Sequence, residues 1–174
     1  MARWDIVYYK TVEGRVPVFD YFIDSCTTKL HAFLNAVLDS VAAAPPPSFS
    51  GGGHWEAMSG DMGGFFELKA VGPDRHHHRV FCLLENSDDP SEMVRRGLSN
   101  KAIAVITGMW KPNATLFSGK EYAHVRSLGD DYLKQLPRRI ADAEDVDDFI
   151  ARLTVKREQE RKTKRKKDER RRKR

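Results

Sequence analysis

The period of the apolar positions changes several times along this chain, and each change marks an element. Aromatic and β-branched residues dominate Trp4 to Tyr9, and Glu13-Gly14 supplies a turn directly afterwards, which predicts a first strand. Pro17 suits the first position of a helix, with Val18, Phe19, Phe22 and Ile23 on one face. Asp24 or Ser25 is the expected cap of a second helix. In it Leu30, Phe33, Leu34, Val37, Leu38 and Val41 follow i, i+3, i+4, i+7, i+8, i+11. Pro45-Pro46-Pro47 ends that helix at Ala44, so two antiparallel helices joined at 24–27 are expected.

Pro45 to Gly53 reads as a loop by composition. Phe65 to Val71 is a strand candidate, Gly72-Pro73-Asp74 a turn, and His78 to Glu85 the next strand, which places His76 and His77 in the hairpin loop. Asn86 to Asn100 is polar and predicts a long excursion. Ala102 to Met109 is a continuous apolar run that fits a buried central strand, expected between the Phe65 and His78 strands. Ser118 and Glu121 have capping-box spacing, and Tyr122, Val125 and Leu128 give a weakly amphipathic helix that Pro137 breaks. Val146, Phe149, Ile150 and Leu153 signal a last helix, with acids at its start and bases at its end, as the helix dipole favours. The order predicts an α+β fold: a compact two-layer body with a small, mostly antiparallel sheet packed by the N-terminal helical pair. Residues 1–137 form the expected domain, and 138–174 a C-terminal helix and basic tail.

Charge changes the picture only at the end of the chain. Lys156 to Arg174 hold 13 Lys/Arg and 4 Asp/Glu, a balance of +9, whereas the preceding 155 residues hold 17 and 21, a balance of −4. Such a run stays solvated and reaches for phosphate through counterion release, so Lys164, Arg165, Lys166 and Lys167 are candidate RNA contacts. Cys26 and Cys82 lack metal-ligand spacing and read as packing residues of a reducing compartment. No stretch approaches 18 consecutive apolar residues and MARWDIVYYK has no signal-peptide core, so the expectation is a cytoplasmic protein without membrane contact.

Three segments resemble the HigB-like, phage-derived branch of the RelE/ParE toxin superfamily. Val12-Glu-Gly-Arg-Val-Pro-Val18 is similar to a "GRxPV" lead into helix one. Phe65-Phe-Glu-Leu-Lys69 with His78-Arg79-Val-Phe81 resembles "LWELR … yRvfy". Ala104-Val-Ile-Thr-Gly-Met-Trp-Lys111 is similar to "vvLLhgFxKK". The resemblance spans roughly residues 4–128. It implies a RelE-like α+β fold and metal-independent cleavage of mRNA on the ribosome, with no cofactor. The implied partners are mRNA on the ribosome and a helix-turn-helix antitoxin, while ribosomal RNA or another polyanion is the partner expected from the charge of the tail. Lys69 stands where the family has Arg, Pro112 where it has a second Lys, and neither the 86–100 insertion nor the C-terminal extension belongs to the core pattern.

Metal-free RNA cleavage needs a base for the 2′ proton, cations for the phosphorane and an acid for the leaving 5′-oxygen. The resemblance assigns the cationic role to Lys69, Arg79 and Lys111. It places Tyr122 and His124 where related toxins carry a Tyr or His after the last strand; Tyr122 reads as a packing residue and His124 as the candidate for chemistry. Arg75, His76, His77 and His78 are candidate RNA contacts, and imidazoles are the side chains that change charge near neutral pH. Neighbours in an extended segment point to opposite faces, which argues against a three-histidine metal site. Glu67 alternates away from Phe66 and Leu68 and reads as structural or solvent-facing. Trp55, Trp110 and Phe117 could stack on bases, although aromatics in a domain of this size are mostly core. The rival functions are a non-catalytic RNA- or ribosome-binding member of the same fold and a ParE-like gyrase inhibitor.

Overall fold

A computed structural model describes residues 3–46, 51–73, 75–112 and 116–172. Contacts divide the chain into residues 1–141 and 142–174, so the boundary falls slightly after Pro137. In the first unit the elements run β1 (Asp5–Tyr8), α1 (Pro17–Ser25), α2 (Thr28–Ala43), β2 (Trp55–Ala57), β3 (Phe65–Val71), β4 (His76–Glu85), α3 (Pro90–Arg95), β5 (Ala102–Pro112) and α4 (Gly119–Lys134). This is an α+β body around one mixed five-stranded sheet, ordered β1-β5-β4-β3-β2. Among the described residues, β1–β5 is the one parallel pairing.

The apolar run at Ala102 does form an interior strand, buried from Ala102 to Thr107. Its neighbours, however, are β1 and β4, and the Phe65 strand lies one place further out, between β4 and β2. The direct hairpin joins β3 to β4, and the 86–100 excursion, which holds α3, returns β5 to the other side of β4. An extra residue, Ile106, sits in β5 between Thr107 opposite Phe81 and Val105 opposite Cys82. This bulge turns Ile106 toward the same core as Phe81 and Leu83.

Helices cover both faces of the sheet, so the body has three layers where two were expected. Tyr21 of α1 lies against Gly108, where an added Cβ would come within 2.1 Å of its ring. On the other face, Gly129 of α4 lets the helix approach Phe65, and Val125 and Tyr132 join the core of Phe65, Phe81 and Leu83. α2 buries Leu30, Leu34, Leu38 and Val41, each fully buried Leu contributing about 2 kcal/mol, while Phe33, expected on that stripe, is exposed. The cap of α2 is Thr27, whose hydroxyl accepts from the Leu30 amide at 3.2 Å, and not Asp24 or Ser25. The capping box of Ser118 and Glu121 is formed at α4. Residues 47–50 of the Pro45–Gly53 loop and Asp74 of the predicted turn lie outside the described residues.

The second unit is one helix, α5 (Ala143–Arg172). Asp142 and Asp145 cap its start reciprocally, each accepting from the other's backbone amide at 3.0 and 2.9 Å. Helix and basic tail are therefore continuous, and Arg170, Arg171 and Arg172 occupy the last turn, where the dipole favours cations.

Candidate functional site

Four charged side chains form a crossed lattice on the α4 face of the sheet. Glu56 of β2 stands opposite Glu67 of β3, and two residues further along β3 Lys69 stands opposite Arg79 of β4. Residues two apart on a strand share a face, so all four lie together. Like charges directly opposite destabilise a ladder, and here each is answered on the diagonal. Lys69 pairs with Glu56, and Arg79 Nη1 donates to Glu67 Oε1 at 3.3 Å.

Lys111 belongs to the same face one step along, since it stands opposite His77, two residues from Arg79. Its ammonium donates to the Leu116 carbonyl at 3.1 Å, lies 3.5 Å from Glu121, and is 5.9 Å from the centre of the Phe117 ring. Lys69, Arg79 and Lys111 thus share a sheet face, and each already faces a carboxylate. The capping amide and hydroxyl of Ser118 hold the Glu121 carboxyl below the usual carboxylate range, with Lys111 adding to the effect.

Beside the lattice lies a cleft of about 430 Å³ between β2–β3 and α4. Glu56, Glu67, Asp61, Met62, Tyr122 and Arg126 line it. Tyr122 and Arg126, four apart on α4, face the cleft together, and Arg126 reaches Met62 Sδ at 3.8 Å. Tyr122 also packs edge-on to Phe81, 6.2 Å between ring centres, so it serves both core and cleft. His124 lies on the exposed side of α4, displaced from the face that carries Tyr122 and Arg126.

The residue that sequence reading set aside is Glu67. Its side chain is only 13% exposed and that of Arg79 14%. Burial raises the Glu67 carboxyl above its ordinary value, against the pull of Arg79 and Lys69 and with a contribution from Glu56. A carboxyl shifted in this way, set between two cations at the rim of a cleft, suits proton transfer. The signal in the sequence was its position two residues before Lys69, which puts both on one face.

The histidine run is strand, not loop: β4 begins at His76. His77 shares the face of Arg79, while His76 and His78 point to the α1 side. His78 is 3% exposed, and its Nδ1 lies 2.7 Å from the Tyr21 hydroxyl. Burial, followed by the neighbouring His76 and His77, lowers its pKa to about 4, so the ring is neutral at ordinary pH. His78 is therefore a structural residue closed to RNA. Arg75 is exposed in the left-handed backbone region, φ 58°, next to the hairpin.

No family model, curated protein or solved structure matches this chain. Its site is read from its own geometry. Among the described residues no group of three or more His, Cys, Asp or Glu side chains is placed to hold a metal ion, and no helix is long and apolar enough to cross a membrane. Lys164, Arg165, Lys166 and Lys167 are exposed on α5, and at about 100° per residue they point to different sides of it.

Proposed function

We propose that this chain is a toxin-type, ribosome-dependent endoribonuclease that cleaves mRNA without a metal. The observation that carries the reading is the pairing of a buried, upward-shifted Glu67 with Arg79 at the edge of the cleft, beside Lys69. Glu67 takes the 2′ proton, and the 2′-oxygen attacks the adjacent phosphorus. Arg79 and Lys69 stabilise the phosphorane. His77, on the same face two residues from Arg79, protonates the leaving 5′-oxygen, leaving a 2′,3′-cyclic phosphate and a free 5′-hydroxyl. Lys111 holds a flanking phosphate. The basic stretch of α5 adds affinity for ribosomal RNA. A helix-turn-helix antitoxin and a cytoplasmic location belong to the same proposal and rest on the family resemblance.

The occupied state of the three cations favours one alternative, a non-catalytic RNA- or ribosome-binding protein, because RNA must first displace Glu67, Glu56 and Glu121 from them. The two readings part in a purified system of bacterial ribosomes carrying a defined mRNA. The endoribonuclease yields fragments with 5′-hydroxyl ends, which Glu67→Gln suppresses. Ribosome binding with intact mRNA supports the binding protein instead.

A further inference from the structure

We propose that Trp110, backed by His76, is a stacking platform for a base of single-stranded RNA. The inference rests on the reading of this chain as an RNA-binding protein and adds a contact on the sheet face opposite Glu67 and Arg79.

Trp4 and Trp55 are buried, at 9% and 5% exposure, whereas Trp110 is 41% exposed near the end of a strand otherwise sealed from Ala102 to Thr107. Trp110 stands opposite His78, and His76 occupies the same face two residues away. The His76 and Trp110 rings lie 4.4 Å apart at an interplanar angle of 15°. His78 lies 6.4 Å from the indole at 26° and is itself held by Tyr21. Stacking and strand pairing thus preset the indole, so a ligand that stacks on it meets little ordering cost.

Charge selects among flat ligands. Residues 75–79 and 109–112, at this end of the β4–β5 pair, contain Arg75, Arg79, Lys111 and three histidines, and no carboxylate. Arg79 and Lys111 lie on the other face of the ribbon together with the carboxylates that engage them, so the phosphates are held across the ribbon end from Trp110. A polyanion with planar groups fits this combination: phosphate is drawn to the cations and a base to the indole. Alternation places Trp110 and Lys111 on opposite sides of one strand, so an RNA strand crossing this end of the ribbon can set a base on Trp110 a few nucleotides from the phosphate at Arg79. Stacking on such a ring is tolerant of base identity but needs an unpaired base, because a duplex keeps its bases stacked inside.

The test uses the full chain and a short, mixed-sequence 2′-O-methyl oligoribonucleotide, which binds without being cut. Trp110 is the accessible tryptophan, so intrinsic fluorescence reports the contact. Saturating oligomer should quench the emission and shield it from iodide. Trp110→Ala should weaken binding about 5- to 150-fold, whereas Trp110→Phe should lose little. The ratio of wild-type to Trp110→Ala affinity should hold as salt rises, since stacking is uncharged while the contribution of α5 fades. Near-ultraviolet circular dichroism from the buried tryptophans checks that both variants fold. Unchanged fluorescence at saturation, equal affinity for Trp110→Ala and wild type, or equal quenching by a duplex of the same strand would overturn the platform. Cleavage plays no part, so quenching in a protein that never cuts RNA would defeat the nuclease reading alone.

Discussion

Arg79 donates to Glu67 across a diagonal of the β3–β4 ladder at 3.3 Å, with both side chains almost covered. Neither partner is independent of the other. Removing the guanidinium leaves a carboxylate in a site that already favours its neutral form, and removing the carboxylate leaves Arg79 directly opposite Lys69. The pair therefore sets both the proton affinity of Glu67 and the direction of Arg79.

This coupling makes the pH dependence of cleavage diagnostic. Glu67 must be ionised to accept the 2′ proton, and burial raises its pKa, so the rate should climb with pH through a midpoint above the ordinary 4.5. Glu67→Gln should lower the rate by about 10²–10⁴ and erase that limb. Lys69→Ala should cost about 10²–10³ and leave the limb in place. A Glu67→Gln enzyme with the parent pH profile would assign the base elsewhere.

Much of the helical and strand layout was legible in the sequence, and the neighbour relations were not. The periodicity of α2, the cap at Ser118 and the apolar run at Ala102 are local signals, and each yielded its element. The parallel pairing of Asp5 with Ala102 joins segments far apart in the chain, and no local pattern encodes it. β2 is three residues long, too short for alternation to register. Alternation correctly turned Glu67 away from Leu68, yet its burial depends on Arg79 from β4 and a cleft wall from α4, which only the assembled fold supplies. Histidine carries no strand signal, so the sequence alone places His76 and His77 in a loop. Their pairing with Pro112 and Lys111 on β5 extends the strand.

His78 should make stability fall in mild acid. Its folded pKa of about 4 lies below the ordinary 6.5, so its contribution is fully present above about 6.5 and is lost as pH falls toward 4. Urea denaturation across that range should show a loss on the order of 2 kcal/mol. Tyr21→Phe removes the hydrogen-bond partner of Nδ1 and should lower stability at neutral pH. Identical pH curves for wild type and His78→Phe would remove His78 as the source.

Gly108 should tolerate no side chain. A Cβ there would meet the Tyr21 ring at 2.1 Å, and relieving that clash moves Tyr21 off His78. Gly108→Ala should destabilise the body by about 1–3 kcal/mol, the range for overpacking. A denaturation midpoint equal to that of wild type would show that α1 shifts freely.

Glu85 anchors the loop excursion. It is 1% exposed and accepts from Arg138 at 2.7 Å and from Arg96 of the turn after α3. Glu85→Ala leaves the nearly buried Arg138 guanidinium without its carboxylate and should cost about 3–5 kcal/mol. Asp39→Ala, which breaks an exposed pair with Arg3, should cost under about 1 kcal/mol. Comparable losses in the two variants would contradict the assignment of Glu85 as the buried anchor.

The nuclease reading is tested most directly by sequencing RNA 5′ ends after brief induction of the full chain in a bacterial host. New 5′-hydroxyl ends are expected at codons within translated messages, present with wild type and absent with Glu67→Gln at equal protein level. Growth arrest with intact messages, or the same ends with a Glu67→Gln/Arg79→Ala double variant, would contradict it.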